Sequence, residues 1–220
     1  QDWEAAAREA QRALDQQNDL LDLHSLSSGE NAIYASSPET IFSMGGYPIS
    51  VAFADWRNSW GTYYPAYLIS DEMSTLFQRG DLRNGFYIGP SETFRINYVF
   101  LKVNGQYSSW GRYDEVSDCF LLRTPEAYLT LAEASAFAGD EATARQTLED
   151  FLDTRMELNR NVTESGNELI DLIRDERARE FLLEGHRWFD LRRYTVCQPY
   201  PYSKVIEHEH YYYDYGDPIR

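Results

Sequence analysis

The sequence has few cysteines, few basic residues and no long apolar run, and each shortage excludes a class of protein. Its two cysteines, Cys119 and Cys197, form neither a CxxC unit nor a set of zinc ligands. No apolar stretch approaches the roughly 20 residues that a membrane-spanning helix needs. Lys and Arg number 20 against 36 Asp and Glu, which gives a formal net charge of −16. Because an acidic surface repels phosphate backbones, we expect no nucleic-acid partner.

The familiar motifs of catalysis and cofactor binding are also missing. The sequence has no P-loop, dinucleotide-binding fingerprint, HExxH or GxSxG motif. His208 and His210 would share one face of a strand, but without further spaced ligands they favour a solvent-facing tail over a metal site. We therefore expect no catalytic residue, no metal and no cofactor, and we expect that the protein is not an enzyme.

Aromatic residues are abundant, and many of them lie in a segment without helical periodicity. Residues 31–65 are punctuated by Gly and Pro, and a long irregular stretch of this kind is typically either functional or disordered. The many aromatic side chains argue against disorder. Sugar rings stack on Trp and Tyr while neighbouring polar groups bind their hydroxyls, although some of these aromatic residues could equally fill a core beneath a loop. The candidate ligand-binding residues are Trp56 and Trp60, then Tyr63 and Tyr64, with Asp55 and Asn58 beside them. Tyr107 and Trp110 form a weaker second candidate, for which packing on the adjacent sheet is the simpler interpretation.

Apolar periodicity and capping residues predict a mainly α protein. Ser70 is a suitable N-cap for a short helix ending near Gly80, and Thr124-Pro125-Glu126 has the pattern of an N-cap, a first-turn proline and an acidic first turn. Asn104-Gly105 predicts a β-hairpin turn after a strand near residues 94–100. The predicted longer helices cover residues 3–23, 124–137, 141–158 and 167–184, with a further turn or two over 188–194. The helices on either side of Gly139-Asp140 form one tetratricopeptide-type hairpin. The predicted fold therefore combines tetratricopeptide-like helical hairpins with an irregular, loop-rich region and a small β-hairpin.

A run of opposite charges in residues 176–193 allows two interpretations. Paired carboxylates could perform acid–base chemistry, but acids and bases three or four residues apart also form ion pairs on a helix face or with a neighbouring helix. We favour the second interpretation, in which Glu176 pairs with Arg179, and Glu180, Glu184 and Arg187 form a network where helices pack. The predicted structural network comprises Glu176, Arg177, Glu180, Glu184, Arg187 and Asp190.

The same run resembles the signature of the SusD/RagB family, which is roughly ERxxEFxxEGxRxxDLxR. It is matched here by Glu176, Arg177, Glu180, Phe181, Glu184, Gly185, Arg187, Asp190, Leu191 and Arg193. Three further segments follow in the family's order: Glu39 to Phe42, Ser70 to Arg83, and Leu122 to Ala134 with Gly139. The chain is thus identified as a member of this family from about residue 35 to residue 195.

The resemblance implies a nutrient-binding lipoprotein on the outward side of the outer membrane of Bacteroidetes-type bacteria. It implies a glycan ligand, delivery to a SusC-like TonB-dependent transporter, and membrane contact only through a lipid anchor that this chain lacks. The chain would be the C-terminal part of a longer domain. Residues 1–30 would form a helix, 31–122 the irregular ligand-binding region, 123–195 the helical repeat and signature helices, and 196–220 a tail. Two alternatives remain: peptide capture by a RagB-like or tetratricopeptide-type scaffold, and glycoside hydrolysis.

Overall fold

Helices are the main regular element of the computed structural model, which describes residues 2–27, 33–47, 56–58, 61–63, 67–90, 99–102, 117–195, 205–208 and 211–214. The α-helices are α1 (Trp3–Leu14), α2 (Asp71–Leu76), α3 (Thr124–Ala138), α4 (Glu141–Leu152), α5 (Gly166–Glu180) and α6 (His186–Thr195). The strands form four antiparallel pairs: β1 (Thr40–Tyr47) with β6 (Ser117–Arg123), β2 (Trp56–Asn58) with β3 (Gly61–Tyr63), β4 (Ile88–Gly89) with β5 (Val99–Phe100), and β7 (Val205–His208) with β8 (Tyr211–Asp214). The predicted mainly α class is confirmed. Within these ranges, no helix combines the length and apolar character needed to span a bilayer.

The central helical hairpin forms where capping residues predicted it. Gly139 ends α3 with a φ of 88°, a left-handed conformation in which the side chains of other residues are strained. Asp140 then caps α4 by accepting a hydrogen bond from the backbone N–H of Thr143. The N-cap of α3 is Arg123, so the prediction of Thr124 as the cap is wrong by one residue. The Thr124 hydroxyl instead donates to the carbonyl of Glu39.

Three of the longer predicted helices extend too far, and so does the short one, since α2 ends at Leu76 and not near Gly80. α1 ends at Leu14, after which the backbone N–H of Leu23 donates to the carbonyl of Thr154. α4 ends at Leu152, and the N–H of Glu157 donates to the carbonyl of Gly80. α5 ends at Glu180, and Leu183 follows with a φ of 64°, a value incompatible with a continuing helix. Periodicity cannot reveal these tertiary bonds.

Three strand pairs arise where the sequence predicted none, and one of them is the hairpin of β2 and β3 inside the stretch predicted to be irregular. β1 lies inside the stretch predicted to be irregular, and its register with β6 has three irregularities. Irregular register disrupts simple alternation of apolar and polar residues, which is the signal for a strand. β7 and β8 pair within the segment predicted to be a solvent-facing tail. The predicted Asn104-Gly105 turn and residues 94–98 lie outside the described residues.

The two largest apolar cores stabilise the two halves of the described structure. α3, α4 and α5 share one core, which includes Leu129, Leu148, Phe151, Leu169, Ile173 and Phe181. The segments around β1, α2 and β4 share the other, which includes Leu23, Phe77, Tyr87, Ile88, Phe120 and Leu182. The consecutive residues Phe181 and Leu182 thus belong to different cores. The end of α5 is therefore the place where the two halves meet.

The left-handed end of α3 gives a test of the hairpin. A β-carbon at position 139 would meet no atom within 4 Å, so Gly139→Ala should cost only the backbone strain, about 1 kcal/mol of unfolding free energy. Gly139→Asn should lose less, because Asn tolerates the left-handed conformation better than Ala. Urea denaturation followed by circular dichroism measures both values. Equal losses for the two variants would contradict this account of the turn.

Candidate functional site

The carboxylate of Glu180 is the centre of a buried network of charges at the end of α5. Glu180 is completely buried. It accepts hydrogen bonds from Arg123 at 2.9 Å, from Arg155 at 3.1 Å, from Arg83 at 3.3 Å and from the hydroxyl of Tyr87 at 2.9 Å. These four donors lie in three different segments of the chain, since Arg83 and Tyr87 share one. Glu180 therefore connects regions that are far apart in the sequence.

Further ion pairs extend this arrangement, which we name the Glu180 network. Glu39, directly before β1, accepts from Arg123 at 2.6 Å and from Arg155 at 2.8 Å. Glu184 accepts from Arg123 and from Lys102. The network has five basic residues (Arg83, Lys102, Arg123, Arg155 and Arg179) and five acidic residues (Glu39, Asp81, Glu176, Glu180 and Glu184). Formal charges balance, as burial of so many ionised groups requires.

A second buried group of charges, the Asp190 network, joins α3, α5 and α6. Asp190 accepts from Arg177 at 3.1 and 3.2 Å and from Arg193 at 2.9 Å. Arg193 also forms a two-pronged contact with Glu133, with both distances 2.8 Å. Arg174 pairs with Glu133 and lies 3.9 Å above the ring centroid of Tyr194. This network has one more basic than acidic residue, and the ring face of Tyr194 provides a further favourable contact for the extra positive charge.

The pKa values of the buried groups follow from burial opposed by neighbouring charges. Burial alone would raise the pKa of Glu176, but Arg179 and Arg83 outweigh it and lower the pKa from 4.5 to about 2. Burial likewise opposes the charged form of Glu180, yet Arg155, Arg123 and Arg83 hold its pKa well below the usual value. For Lys102 burial dominates over the attraction of Glu184 and lowers the pKa to about 8. Glu176 and Glu180 are therefore ionised at neutral pH.

The arrangement suits a structural role better than proton transfer. A general acid or base must reach its substrate, whereas the side chains of Glu180 and Glu176 are 0% and 1% exposed. Each already accepts hydrogen bonds from arginine. The network therefore fixes the loops before β1 and β4 and the segment after β5 against the end of α5. Within the described ranges, no group of three or more His, Cys, Asp or Glu side chains could hold a metal ion.

The structure places the predicted charged residues in two networks and leaves one outside them. Glu176, Glu180 and Glu184 lie in the Glu180 network, while Arg177 and Asp190 lie in the Asp190 network. Arg187 does not fulfil the predicted role. Among the described residues, the ion pairs of Glu180 and Glu184 involve other basic residues, whereas the charge of Arg187 acts on Asp175. The spacing of charges along the sequence does not reveal that basic residues from distant segments pair with Glu180 and Glu184 instead of Arg187.

Sequence reasoning from the charge run missed the basic residues that arrive from elsewhere. Arg83 and Arg123, together with Glu39, stand in the family-like segments, so a signal for them existed in those motifs. Arg155 and Lys102 stand in segments without a recognisable pattern. The Arg155 side chain is 0% exposed and also donates to the carbonyl of Leu21 at 2.6 Å. Only the folded arrangement reveals its role.

The candidate ligand-binding residues lie on or beside the hairpin of β2 and β3. Trp56 pairs with Tyr63 and Asn58 with Gly61. Positions paired across an antiparallel ladder lie on the same face, so the backbone register places positions 56 and 63 on one face. Of the predicted set, Asp55, Trp60 and Tyr64 lie outside the described residues, as do Tyr107 and Trp110.

An exposed aromatic residue follows this hairpin in the chain. Tyr67 is 60% exposed and its neighbour Leu68 is 50% exposed. Ser70 then caps α2 by accepting a hydrogen bond from the backbone N–H of Met73 at 3.2 Å, as predicted. Leu82, a few residues beyond α2, donates its backbone N–H to the carbonyl of Arg155. Tyr67 and Leu68 therefore precede, in the sequence, a segment that is hydrogen-bonded to the helical half.

The family model of SusD matches residues 54–219, which is most of the chain. The chain belongs to the SusD family. In the part of the chain that the structure describes, the family-like segments meet in the Glu180 network, since Glu39, Arg83 and Arg123 each contact a residue of the signature run or its partner. The family expectation from sequence is thus confirmed.

Solved structures of SusD-like proteins share this fold. A SusD-like carbohydrate-binding protein from Bacteroides vulgatus superposes with a TM-score of 0.69 at 19% identity, covering 96% of this chain and 47% of its own. A SusD superfamily protein from Parabacteroides distasonis superposes with a TM-score of 0.66 at 15% identity, over 97% of this chain and 50% of that protein. A SusD superfamily protein from Bacteroides thetaiotaomicron superposes with a TM-score of 0.65 at 19% identity, over 88% of this chain and 46% of that protein. No curated protein matches by sequence. The chain spans about half the length of these solved relatives.

Removal of the central charge gives a direct test of the network. Glu180→Gln would leave three buried arginines without their shared carboxylate, so we expect a loss of about 3–5 kcal/mol of unfolding free energy. Glu164→Gln is the control, because Glu164 pairs with Arg160 at a partly exposed site and should cost less than about 1 kcal/mol. Chemical denaturation of both variants gives the comparison. Similar losses would contradict a central role for Glu180.

Acid should destabilise the protein through the same groups. Glu176 has a pKa of about 2 in the folded protein against 4.5 ordinarily, so the unfolded chain binds its proton first as the pH falls. The stability that Glu176 contributes, about 3 kcal/mol, is present above pH 4.5 and is lost between about pH 4.5 and 2. Glu184 and Asp190, whose pKa values are also lowered, add to the loss. Urea denaturation at a series of pH values measures this, and constant stability from pH 5 to 3 would contradict it.

Proposed function

We propose that the chain binds a glycan at the cell surface and contributes to its delivery to a TonB-dependent outer-membrane transporter. In this proposal the whole protein is a lipid-anchored, outward-facing lipoprotein, and the chain corresponds to its C-terminal part. Membership of the SusD family supports the general role. The SusD-like carbohydrate-binding protein from Bacteroides vulgatus, which shares the fold, supports carbohydrate as the ligand class.

The observation that carries the proposal is the exposure of Tyr67 beside the aromatic hairpin. Transfer of a large aromatic side chain into water costs free energy, and an exposed aromatic ring is well suited to stack on the apolar face of a sugar. Tyr67 is 60% exposed, whereas Phe77, ten residues later, is buried in the core. The exposed ring stands four residues beyond Tyr63 in the sequence.

The hairpin of β2 and β3 supplies the rest of the proposed platform. Its register pairs Trp56 with Tyr63, and residues paired in this way share a face of the ladder. Two aromatic residues on one face can stack on consecutive sugar units, while Asn58 and Asp55 would bind hydroxyl groups. Trp60, in the connection of the hairpin, would extend the platform, and Tyr64 would join it to Tyr67.

The Glu180 network fixes the position of the chain beyond α2, which follows the proposed platform in the sequence. Binding by stacking needs a surface whose geometry is fixed before the ligand arrives, because ordering it on binding reduces affinity. The network joins the loop before β4 to α5 through Arg83 and Tyr87. Binding in this proposal breaks no covalent bond, and the protein is not an enzyme. Steady release of reducing ends by the purified protein would favour glycoside hydrolysis instead.

Substitution of the aromatic residues tests the platform. Trp56→Ala, Trp60→Ala and Tyr67→Ala should each weaken binding to a glycan found in a panel screen, by about 1–3 kcal/mol or roughly 5- to 150-fold in Kd for a stacking residue. The matched control is Phe189→Ala, since Phe189 is an aromatic residue of α6 that is 71% exposed and should leave Kd unchanged. Isothermal titration calorimetry provides the values.

The outcome separates the proposal from its alternatives. If Trp56→Ala and Trp60→Ala both leave the glycan affinity intact, the platform is wrongly placed. If the protein binds no glycan but binds peptides, the RagB-like or tetratricopeptide-type alternative is correct. Capture of a transporter together with glycan affinity would support delivery as well as binding.

A further inference from the structure

The short helix α2 follows the exposed Tyr67 and contributes little to the cores. It has six residues, and none of them is buried. Helices of this length are marginal without tertiary contacts. Met73 of α2 and Ile69 before it pack partly against the core around β1, α2 and β4, and Phe77 after the helix is buried there. Apolar packing is not directional, so a directional contact adds precision that this packing lacks.

Arg179 of α5 supplies such a contact at the end of α2. Its Nη1 donates to the backbone carbonyl of Leu76, the last residue of α2, at 2.9 Å. The last carbonyls of a helix have no partner within the helix, and a hydrogen bond from a guanidinium is stronger than one between neutral groups. The Arg179 side chain is 5% exposed, so water competes little for this bond. Arg179 therefore ties the end of α2 to α5.

The carboxylate of Glu176 orients Arg179 for this bond. Its Oε2 accepts from Nε and Nη2 of Arg179 at 3.0 and 2.5 Å, while Nη1 contacts Leu76. Its Oε1 accepts from Arg83 at 2.5 Å, and Arg83 also forms a two-pronged contact with Asp81, with both distances 2.8 Å. One buried carboxylate thus fixes both the end of α2 and the segment directly beyond it.

The path from Leu76 back to Tyr67 is short and lies entirely within the described residues. α2 begins after Ser70, whose hydroxyl accepts from the backbone N–H of Met73 at 3.2 Å. Ile69, two residues after Tyr67, is partly buried against the core. Tyr67 itself is 60% exposed, and an exposed ring takes its position mainly from the backbone that carries it. The position of this ring therefore depends on the position of α2.

We infer that Arg179 is a positioning residue for glycan binding, because its bond to Leu76 fixes α2 and with it the ring of Tyr67 that stacks on the sugar. The inference rests on the proposed function and identifies a residue that acts on the same site without touching the ligand. A ring that is held in place before the ligand arrives binds more tightly than one that must be ordered on binding. An arginine with a purely structural role would affect stability alone, whereas a positioning arginine also lowers the Kd of the folded protein.

Removal of the guanidinium tests the inference. Arg179→Met should raise Kd for a glycan found in the panel screen about 3- to 10-fold, because α2 and its preceding ring must then be ordered on binding. The matched control is Arg177→Met. Arg177 stands in the same helix, is 5% exposed against 4% for Arg179, and pairs with Asp190 instead of contacting α2. Its loss should lower stability and leave Kd unchanged. Isothermal titration calorimetry under conditions where circular dichroism shows each variant to be folded gives the values.

A double variant shows whether Arg179 acts through the ring of Tyr67. Once the ring is absent, its position no longer matters, so Arg179→Met combined with Tyr67→Ala should bind within about twofold of Tyr67→Ala alone. Should Arg179→Met fail to fold, Arg179→Lys replaces it in both comparisons. Lysine keeps the positive charge beside Glu176 but lacks the planar fork that bonds Glu176 and Leu76 together, so Kd should still rise, by about 2- to 5-fold.

Three results would overturn the inference while the proposed function stands. The first is a Kd for the Arg179 variant equal to that of the unchanged protein. The second is an equal rise in Kd for Arg177→Met, since the effect would then follow stability in general. The third is full additivity of the losses in the double variant, since Arg179 would then act independently of Tyr67. Absence of glycan binding by the unchanged protein is a separate outcome, which would overturn the proposed function and the inference with it.

Discussion

The side chain of Glu180 is completely buried, so its negative charge has to be neutralised by groups brought from elsewhere in the chain. Arg83, Arg123 and Arg155 supply the positive charge, and Tyr87 adds a hydroxyl donor. A displaced donor would leave part of that charge uncompensated in a medium of low polarity. This requirement explains why segments without regular secondary structure of their own, such as residues 81–87, hold defined positions against α5.

The same requirement links the two apolar cores. Phe181 packs in the helical core and Leu182 in the core around β1, α2 and β4, so the chain passes from one to the other directly after Glu180. Apolar packing by itself is tolerant of small shifts in position, whereas an ion-pair network with several shared partners accepts few geometries. The network thus supplies the precision with which the irregular half, where we place ligand binding, is set on the helical half.

The burial of basic residues in ion pairs also determines the charge of the surface that is exposed to solvent and ligands. Eight basic residues lie in the two networks, and seven of them, all except Arg193, are buried and therefore withdrawn from contact with ligands. The surface that remains combines strong negative charge with exposed aromatic and aliphatic side chains such as Tyr67 and Leu68.

Local features of the sequence predicted much of the helical half. The caps at Ser70 and Asp140 and the left-handed turn at Gly139 depend on residues within a few positions of one another, so they can be read from the sequence alone. The pair of Glu176 and Arg179 is local in the same sense. β1 pairs with a strand more than 70 residues later, and Arg155 has no local pattern that marks its burial. Of the candidate site, the sequence indicated an aromatic segment and predicted it to be irregular, while the pairing of β2 with β3 and the exposure of Tyr67 required the fold.

Native-state hydrogen exchange tests most directly whether the Glu180 network joins the two halves into one unit. The informative amides are those of Leu21, Leu23 and Leu82, which donate to the Glu39 carboxylate, the Thr154 carbonyl and the Arg155 carbonyl. If the network holds, these amides and those in the middle of α3 and α5 should exchange through openings of the same free energy, equal to that of global unfolding. Exchange of the three amides through a separate opening several kcal/mol lower, with α3 and α5 still protected, would contradict the account.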